Sequence, residues 1–243
     1  MKKDITNLLL KGALAFGVIL TLLPIIIGVL ASLRHGPETY VRLLLDEPEF
    51  WQAYKNSIVL CFFSVCGQLI VGIFTGWGLA QYNFPGKRWL ILLSVIWILT
   101  PPQAVLLPQY EFAKAFGLLD SMWAVILPAV FSPIGILIFY SGFSRIPCEQ
   151  LESAEELGAK PIIILRKIAL PQQKREIWAV ILIAFAEQWN QLELPMACIQ
   201  TKSRYPLSVY MATNAIMDRP LLLACCVLLL APVGFLFVAG DKA

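Results

Sequence analysis

Six long runs of apolar residues, separated by shorter polar segments, dominate this chain of 243 residues. A helix rises about 1.5 Å per residue and the hydrocarbon core of a bilayer is about 30 Å thick, so one crossing needs roughly 20 mostly apolar residues. The pattern therefore predicts an all-α membrane protein with six transmembrane helices in a single domain over residues 1–243. The predicted spans cover residues 8–33, 57–82, 89–107, 122–140, 177–199 and 221–238.

Two of these runs contain internal breaks. Thr100-Pro101-Pro102 interrupts the third run, and the fourth contains Pro128 and Pro133. Proline removes a backbone donor, which a membrane helix tolerates where neighbouring protein or water satisfies the freed carbonyl. We therefore expect spans three and four to be packed inside a helical bundle.

The lysines and arginines indicate the orientation of the chain. The first run follows Lys2 and Lys3 and is longer than the roughly 7–15 apolar residues of a signal peptide, so we expect an uncleaved signal anchor. With the N-terminus inside, twelve of the 19 basic residues, Lys242 among them, face the cytoplasm and seven face outside. This excess predicts that both termini are cytoplasmic. The only long cytoplasmic loop then spans residues 142–176 and holds half of the inner basic residues: Arg145, Lys160, Arg166, Lys167, Lys174 and Arg175.

Composition excludes several classes of function. The chain is 58% hydrophobic and 14% charged, with about half the charge of a soluble domain, so it is not a plain cytosolic enzyme. Its net charge of +3 is small and scattered, which argues against nucleic acid as a partner. His35 is the only histidine, which excludes a histidine-based metal centre or catalytic triad, and no phosphate-binding G-x-x-x-x-G-K-[ST] sequence occurs. The six cysteines form no C-x-x-C pair, and we interpret them as small apolar residues. We therefore expect no enzymatic activity, no catalytic or metal-binding residues and no cofactor.

The long cytoplasmic loop carries an unusual pattern between Arg145 and Pro171. Pro147 and early glutamates suit the start of a short acidic helix, Gly158 suits its left-handed C-terminal cap, and Pro161 suits the start of a second helix. Two interpretations stay open on these residues alone. The loop either covers the ends of the spans as a solvated amphipathic segment, or it offers Glu152 and nearby carboxylates to a basic groove on a cytosolic partner.

The spacing within this loop resembles the E-A-A-x3-G-x9-I-x-L-P signature of ABC importer permease subunits. The matching residues are Glu152, Ser153, Ala154, Gly158, Ile168, Leu170 and Pro171. In that family the segment is a coupling helix that inserts into a cleft of the ATP-binding subunit. The resemblance therefore implies a type I ABC importer permease fold, with a coupling helix between spans four and five that docks through Glu152, Ala154 and Gly158. Ser153 and Leu157 depart from the family pattern and affect the pairing with a particular ATPase.

Further short matches cover about residues 50 to 210 and resemble the carbohydrate-uptake branch of these importers. They are Asn56-Ser57, Phe84 to Arg88, Leu107-Pro108, Gly117 to Leu119, Leu127-Pro128, Phe185, Trp189-Asn190 and Pro206-Leu207. The branch implies a multi-pass subunit of the bacterial inner membrane. It also implies a second permease subunit, two ATP-binding subunits that hydrolyse ATP, an extracytoplasmic solute-binding protein and a sugar as substrate. A permease for glycerol phosphate or a polyol is an alternative, and so is a secondary transporter that is not coupled to ATP.

Polar residues are concentrated in the predicted fifth span. They are Glu187, Gln188, Asn190, Gln191 and Glu193, with Trp189 among them. An ionised carboxylate at the bilayer centre costs about 2.5–3.5 kcal/mol, so such residues usually face a bundle interior or a wet cavity. We expect them to line a translocation pathway, where amides and carboxylates bind sugar hydroxyls and an aromatic ring stacks on the sugar. Two alternatives are hydrogen bonds between helices and a position in the outer headgroup region.

Overall fold

The computed structural model describes residues 2–34, 36–214 and 219–240, and these residues form helices and connecting segments without a strand. His35 and Lys242 lie outside the described residues. The α-helices in chain order are α1 (Lys2–Arg34), α2 (Pro37–Val41), α3 (Pro48–Gln81), α4 (Lys87–Leu99), α5 (Pro102–Ala115), α6 (Trp123–Val130), α7 (Pro133–Phe143), α8 (Cys148–Glu156), α9 (Pro161–Ile164), α10 (Lys174–Asn190), α11 (Glu193–Cys198), α12 (Leu207–Asn214) and α13 (Arg219–Gly240). Short π turns cover Arg42–Asp46 and Leu165–Ala169, and 3-10 turns cover Leu170–Gln172 and Lys202–Arg204.

Four helical segments are long and apolar enough to cross a membrane. They are Phe16–Arg34 within α1, the whole of α3, Trp123–Phe143 across α6 and α7, and Pro220–Gly240 within α13. Helices α4 and α5 pass the same test only together, and they bend by 107° at their junction. Helix α10, at the predicted fifth span, has 17 residues. The described residues thus contain four such segments, or five with the bent pair, and the count of six spans stays a prediction.

Three of the predicted spans are broken within the membrane region. Helix α4 ends at Leu99 and α5 begins at Pro102, and α6 ends at Val130 before α7 begins at Pro133. In both cases proline stands in the first turn of the following helix, where its missing N–H costs least. The break between α10 and α11 has another cause, because Gln191 adopts an extended conformation with ψ 123°. The sequence indicated the first two breaks but not the third.

Helix α3 lies at the centre of the bundle and packs against α6, α7 and α10. Glycines allow its close approach to α7. A Cβ atom on Gly72 would lie 3.2 Å from the carbonyl carbon of Gly135, and one on Gly76 would lie 2.8 Å from the backbone nitrogen of Tyr140. Small residues spaced four apart let two membrane helices approach until their backbones are nearly in contact. The α3–α7 pair is therefore a tightly packed unit on which the other helices rest.

One apolar cluster joins the segment of residues 145–171, the 145–171 loop, to one end of this pair. Leu151, Ile164 and Leu165 of the loop are buried against Trp77 of α3 and Phe143 of α7. The rings of Trp77 and Phe143 meet edge to face with their centroids 5.3 Å apart. The loop is therefore held at the ends of α3 and α7 by a shared apolar core.

The opposite end of the bundle is held by polar contacts around the start of α3. The Asn56 side-chain amide donates to the backbone carbonyls of Ser203 and Tyr205, at 2.9 and 3.0 Å. The backbone N–H of Leu207 donates to the Ser57 hydroxyl at 2.7 Å. The segment between α11 and α12 is therefore fixed to α3 at the end away from the 145–171 loop.

Candidate functional site

The three helix breaks converge on one cavity of about 530 Å³. Residues at or beside each joint line it: Thr100 and Pro102 at the first, Ser132 and Pro133 at the second, and Gln191 at the third. In membrane proteins, irregular backbone at membrane depth occurs where it is buried in protein or lines a polar cavity. Discontinuous helices are also a common way to build substrate sites in transporters. We call this space the joint cavity.

The structure brings five of the six predicted pathway residues together at the joint cavity. The five are Glu187, Gln188, Asn190, Gln191 and Glu193. Glu187, Asn190 and Glu193 are exposed, while Gln188 is buried at its edge. The extended conformation of Gln191 turns the chain between α10 and α11, so that residues on both sides of the break face the same space.

Trp189, the sixth predicted pathway residue, lies elsewhere. Its side chain is 1% exposed, its ring stacks on Phe185 and it meets Tyr54 edge to face. Its indole N–H donates to the backbone carbonyl of Leu229 in α13 at 2.9 Å. The expectation that Trp189 stacks on a sugar is therefore corrected: its side chain packs into the core, about 100° around α10 from that of Asn190. The aromatic ring at the joint cavity belongs to Trp97.

The polar groups of the joint cavity are partly engaged. Gln103 of α5 donates from its side-chain amide to the Glu193 carboxylate at 2.9 Å, which ties α5 to α11. Asn190 donates to the carbonyl of Ala186 in its own helix at 2.8 Å. The side-chain oxygens of Gln188 and Gln191 are buried and accept no hydrogen bond from the described residues.

Several residues that line the joint cavity were not predicted from the sequence. Gln103 and Gln109 of α5, together with Thr100 and Trp97, complete the wall opposite α10. The signal for them was present in the two proline-interrupted runs, since a break in a membrane helix marks a place where backbone faces a cavity. The prolines indicate where a helix is broken, but they do not indicate which other helix lies across the cavity from the break.

A second cavity of about 490 Å³ lies along α7 and α10, nearer the 145–171 loop. Arg145, Arg175 and Glu176 line it, and the Arg145 guanidinium lies 3.8 Å from the Glu176 carboxylate. Ile134 of α7 lines both this cavity and the joint cavity. The two spaces therefore adjoin the same residue of α7.

The 145–171 loop has the helix, glycine turn and second helix that the sequence predicts. Gly158 has a positive φ of 77°, and the N–H groups of Gly158 and Ala159 donate to the carbonyls of Glu155 and Ala154, at 2.8 and 3.0 Å. These two bonds form a Schellman motif, which requires the left-handed residue that glycine supplies at lowest cost. The second helix continues from α9 through the π turn of Leu165–Ala169 into the 3-10 turn of Leu170–Gln172.

The predicted docking residues of this loop face in two directions. Glu152, Ser153, Gly158 and Pro171 are exposed, whereas Ile168 and Leu170 pack partly buried against the apolar cluster. Ala154 is buried as well, and its contact with a partner stays a prediction. The exposed surface of the loop includes three large apolar side chains, because Leu157 is 89% exposed and Ile162 and Ile163 are also exposed.

Comparisons with known proteins agree on one family. The family described as binding-protein-dependent transport system inner membrane component matches residues 68–240. The arabinooligosaccharides transport system permease protein AraQ of Halalkalibacterium halodurans is 24% identical over 255 residues, which cover 96% of this chain and 91% of AraQ. The sn-glycerol-3-phosphate transport system permease protein UgpE of Salmonella choleraesuis is 27% identical over 155 residues, covering 64% of this chain and 55% of UgpE. A chain in the crystal structure of a bacterial ABC transporter that imports the acidic polysaccharide alginate matches the whole fold with a TM-score of 0.85, at 20% identity, over 100% of this chain and 97% of the other.

Proposed function

The chain belongs to the family of binding-protein-dependent transport system inner membrane components, and from this premise we propose that it moves a sugar or oligosaccharide as a permease subunit of an ABC importer. In this role it is a multi-pass subunit of the inner membrane. It pairs with a second permease subunit, and two ATP-binding subunits hydrolyse the ATP. An extracytoplasmic binding protein delivers the solute.

The joint cavity is the observation that carries this proposal. Its volume of about 530 Å³ lies within the range of about 300–1,000 Å³ that is usual for ligand sites. Gln103, Gln109 and Asn190 supply amide donors and acceptors, and the Trp97 ring adds an apolar face. A sugar needs both, because its hydroxyls form hydrogen bonds while its C–H faces pack on aromatic rings.

The path through the subunit follows α7. A solute that enters the joint cavity passes Ile134 to reach the second cavity, which lies toward the 145–171 loop. Ile134 thus stands at the constriction between the two spaces. Alternating access then requires a change in the packing around this residue between two states of the bundle.

The 145–171 loop couples this change to the ATP-binding subunits. Its exposed surface combines the apolar Leu157 and Ile162 with the carboxylates of Glu152 and Glu155. Desolvated apolar side chains near the centre of an interface supply most of its binding energy, and charged residues at the rim set specificity and association rate. Ala154, Ile168 and Leu170 hold the loop on the α3–α7 pair, so closure of the ATP-binding subunits moves the bundle.

The test uses the complete importer in proteoliposomes, with the binding protein outside and a panel of neutral oligosaccharides that includes arabinotriose. We expect ATP-dependent accumulation, and ATP hydrolysis that rises when the binding protein is added. Asn190→Leu should lower accumulation about tenfold, because a site built for hydroxyls loses a hydrogen-bonding partner.

Met196→Leu is the matched control, since Met196 is exposed on α11 but does not line the joint cavity. Accumulation that persists without ATP, or ATP hydrolysis that ignores the binding protein, would contradict the proposal. Accumulation of sn-glycerol 3-phosphate in place of every neutral sugar would favour the alternative that the UgpE relative suggests.

A further inference from the structure

The charged groups of the joint cavity are all of one sign. Among the described residues that line it, Glu187 and Glu193 are charged and neither Lys nor Arg is present. Both glutamates are exposed to the cavity rather than buried in the core. Two basic side chains, Arg145 and Arg175, line the second cavity instead.

Beside the amides of Gln103, Gln109 and Asn190, which both donate and accept, the cavity has acceptors that bring no donor of their own. The carboxylates of Glu187 and Glu193 act only as acceptors when ionised, and the side-chain oxygens of Gln188 and Gln191 are acceptors without a donor in the described part of the chain. A buried acceptor is costly to leave unpaired, so these groups favour a solute that brings donors. Hydroxyl groups are such donors, whereas an ionised carboxylate or phosphate on a solute is not.

Glu193 is held in this arrangement by a neighbouring helix. The amide of Gln103 in α5 donates to its carboxylate at 2.9 Å, and the structure shows no ion pair for Glu187 or Glu193 within the residues it describes. Gln103 supplies a hydrogen bond but no compensating positive charge. The field of both carboxylates therefore acts on a solute, and a cavity with low-dielectric walls strengthens that field.

From these observations we propose that Glu187 and Glu193 form a charge filter, which admits neutral, hydroxyl-rich solutes to the joint cavity and repels anionic ones. This inference rests on the proposed function and names its substrate class: neutral oligosaccharides, as opposed to uronate-containing or phosphorylated sugars. The filter is a property of the wall that this chain supplies, and it acts after the binding protein has released the solute.

The filter is tested with two thiol reagents of similar size and opposite charge. The background replaces Cys66, Cys148 and Cys226 with serine and keeps Cys61, Cys198 and Cys225, which are buried. Asn190→Cys is then labelled in the complete importer with cationic trimethylammonium-ethyl methanethiosulfonate or anionic sulfonatoethyl methanethiosulfonate. The ratio of the two rates is compared with the ratio at Gln200→Cys, an exposed position of the segment before α12 that does not line the cavity.

We expect the ratio of cationic to anionic labelling at Asn190→Cys to exceed the ratio at Gln200→Cys about tenfold. In the double variant with Glu187→Gln and Glu193→Gln, the labelling ratio at Asn190→Cys should fall to the ratio at Gln200→Cys. Equal ratios in the unmodified cavity, an excess that survives the glutamine substitutions, or no labelling by either reagent would each overturn the filter. The failure of the filter can be told apart from the failure of the proposed function. An importer that accumulates neutral sugars but shows equal labelling ratios lacks the filter. An importer that shows the charge-dependent ratio but accumulates no sugar is not a sugar importer.

Discussion

The carboxylate of Asp120 accepts two hydrogen bonds from Thr201, one from its hydroxyl at 2.6 Å and one from its backbone N–H at 2.9 Å. The backbone N–H of Gln200 and the Arg204 guanidinium also bind this carboxylate, at 3.0 and 3.1 Å. Asp120 lies between α5 and α6, and its partners lie between α11 and α12. The Asp120 side chain thus joins the segment between α5 and α6 to the segment between α11 and α12. Both segments lie at the end of the bundle away from the 145–171 loop.

The first prediction concerns the strength of this junction. Asp120→Ala should speed hydrogen exchange at the amides of Gln200 and Thr201 about tenfold, because their acceptor is removed. Mass spectrometry of the detergent-solubilised protein measures this exchange. Glu111→Ala removes an exposed carboxylate from α5 and serves as the control. Unchanged exchange in Asp120→Ala would show that the junction does not hold these segments.

The junction should also depend on pH. The hydrogen bond from the Thr201 hydroxyl, with the other donors, lowers the pKa of Asp120 from the ordinary 3.8 to about 2. A lowered pKa in the folded state means that folding favours the ionised form, so the contribution of Asp120 is complete above its ordinary pKa. It is then lost as the pH falls through about 2. Titration of the Asp120 carboxyl carbon by NMR measures this, and a midpoint near 3.8 would contradict it.

The third prediction concerns the glycine contact between α3 and α7. Gly76→Ala places a methyl group 2.6 Å from Cβ of Phe139 and 2.8 Å from the backbone nitrogen of Tyr140, so the helices must separate. Overpacking of this kind costs about 1–3 kcal/mol. Thermal unfolding in detergent should therefore begin at a lower temperature. Gly78→Ala, two residues further along α3 and with open space around it, should leave the unfolding temperature unchanged or raise it.

The fourth prediction tests whether coupling requires the left-handed backbone conformation at Gly158 or glycine itself. Valine there cannot easily adopt a φ of 77°, at a cost of about 1–2 kcal/mol, so the turn of the 145–171 loop should distort. We expect Gly158→Val to abolish uptake and co-purification of the ATP-binding subunits while the protein still reaches the membrane. Asn tolerates the left-handed conformation, and Gly158→Asn should retain most of both activities. Full uptake by Gly158→Val would refute a role of the turn in coupling.

The fifth prediction distinguishes two tryptophans. Trp189→Ala empties a core position and should lower the free energy of unfolding by about 3–5 kcal/mol. Trp97→Ala removes a ring from the joint cavity and should raise the solute concentration needed for half-maximal uptake without changing the unfolding temperature. Unfolding curves and uptake kinetics on the same preparations decide this. The reverse pattern would place the sugar-stacking ring at Trp189 after all.

Local features of the sequence predicted much of the fold because they depend on neighbouring residues alone. The left-handed turn at Gly158 and the break at Thr100 to Pro102 follow from backbone sterics, which glycine and proline impose wherever they stand. The apolar runs likewise require helices in a membrane, since lipid offers no partner to a free backbone group.

The direction in which a side chain faces and the residues that it contacts depended on tertiary structure. Trp189 and Asn190 are adjacent in the chain, yet one packs against α13 and the other faces the joint cavity, because successive side chains leave a helix about 100° apart. Glu193 meets Gln103 across 90 residues of sequence, and Ala154 belongs to a buried cluster that includes Trp77 of α3 and Phe143 of α7. The sequence by itself determined that the chain is helical, that it carries long apolar helices suited to a membrane, and where glycine and proline turn the chain. Only the tertiary structure decided that three broken helices share one cavity, since long-range packing depends on the shapes of all the helices together.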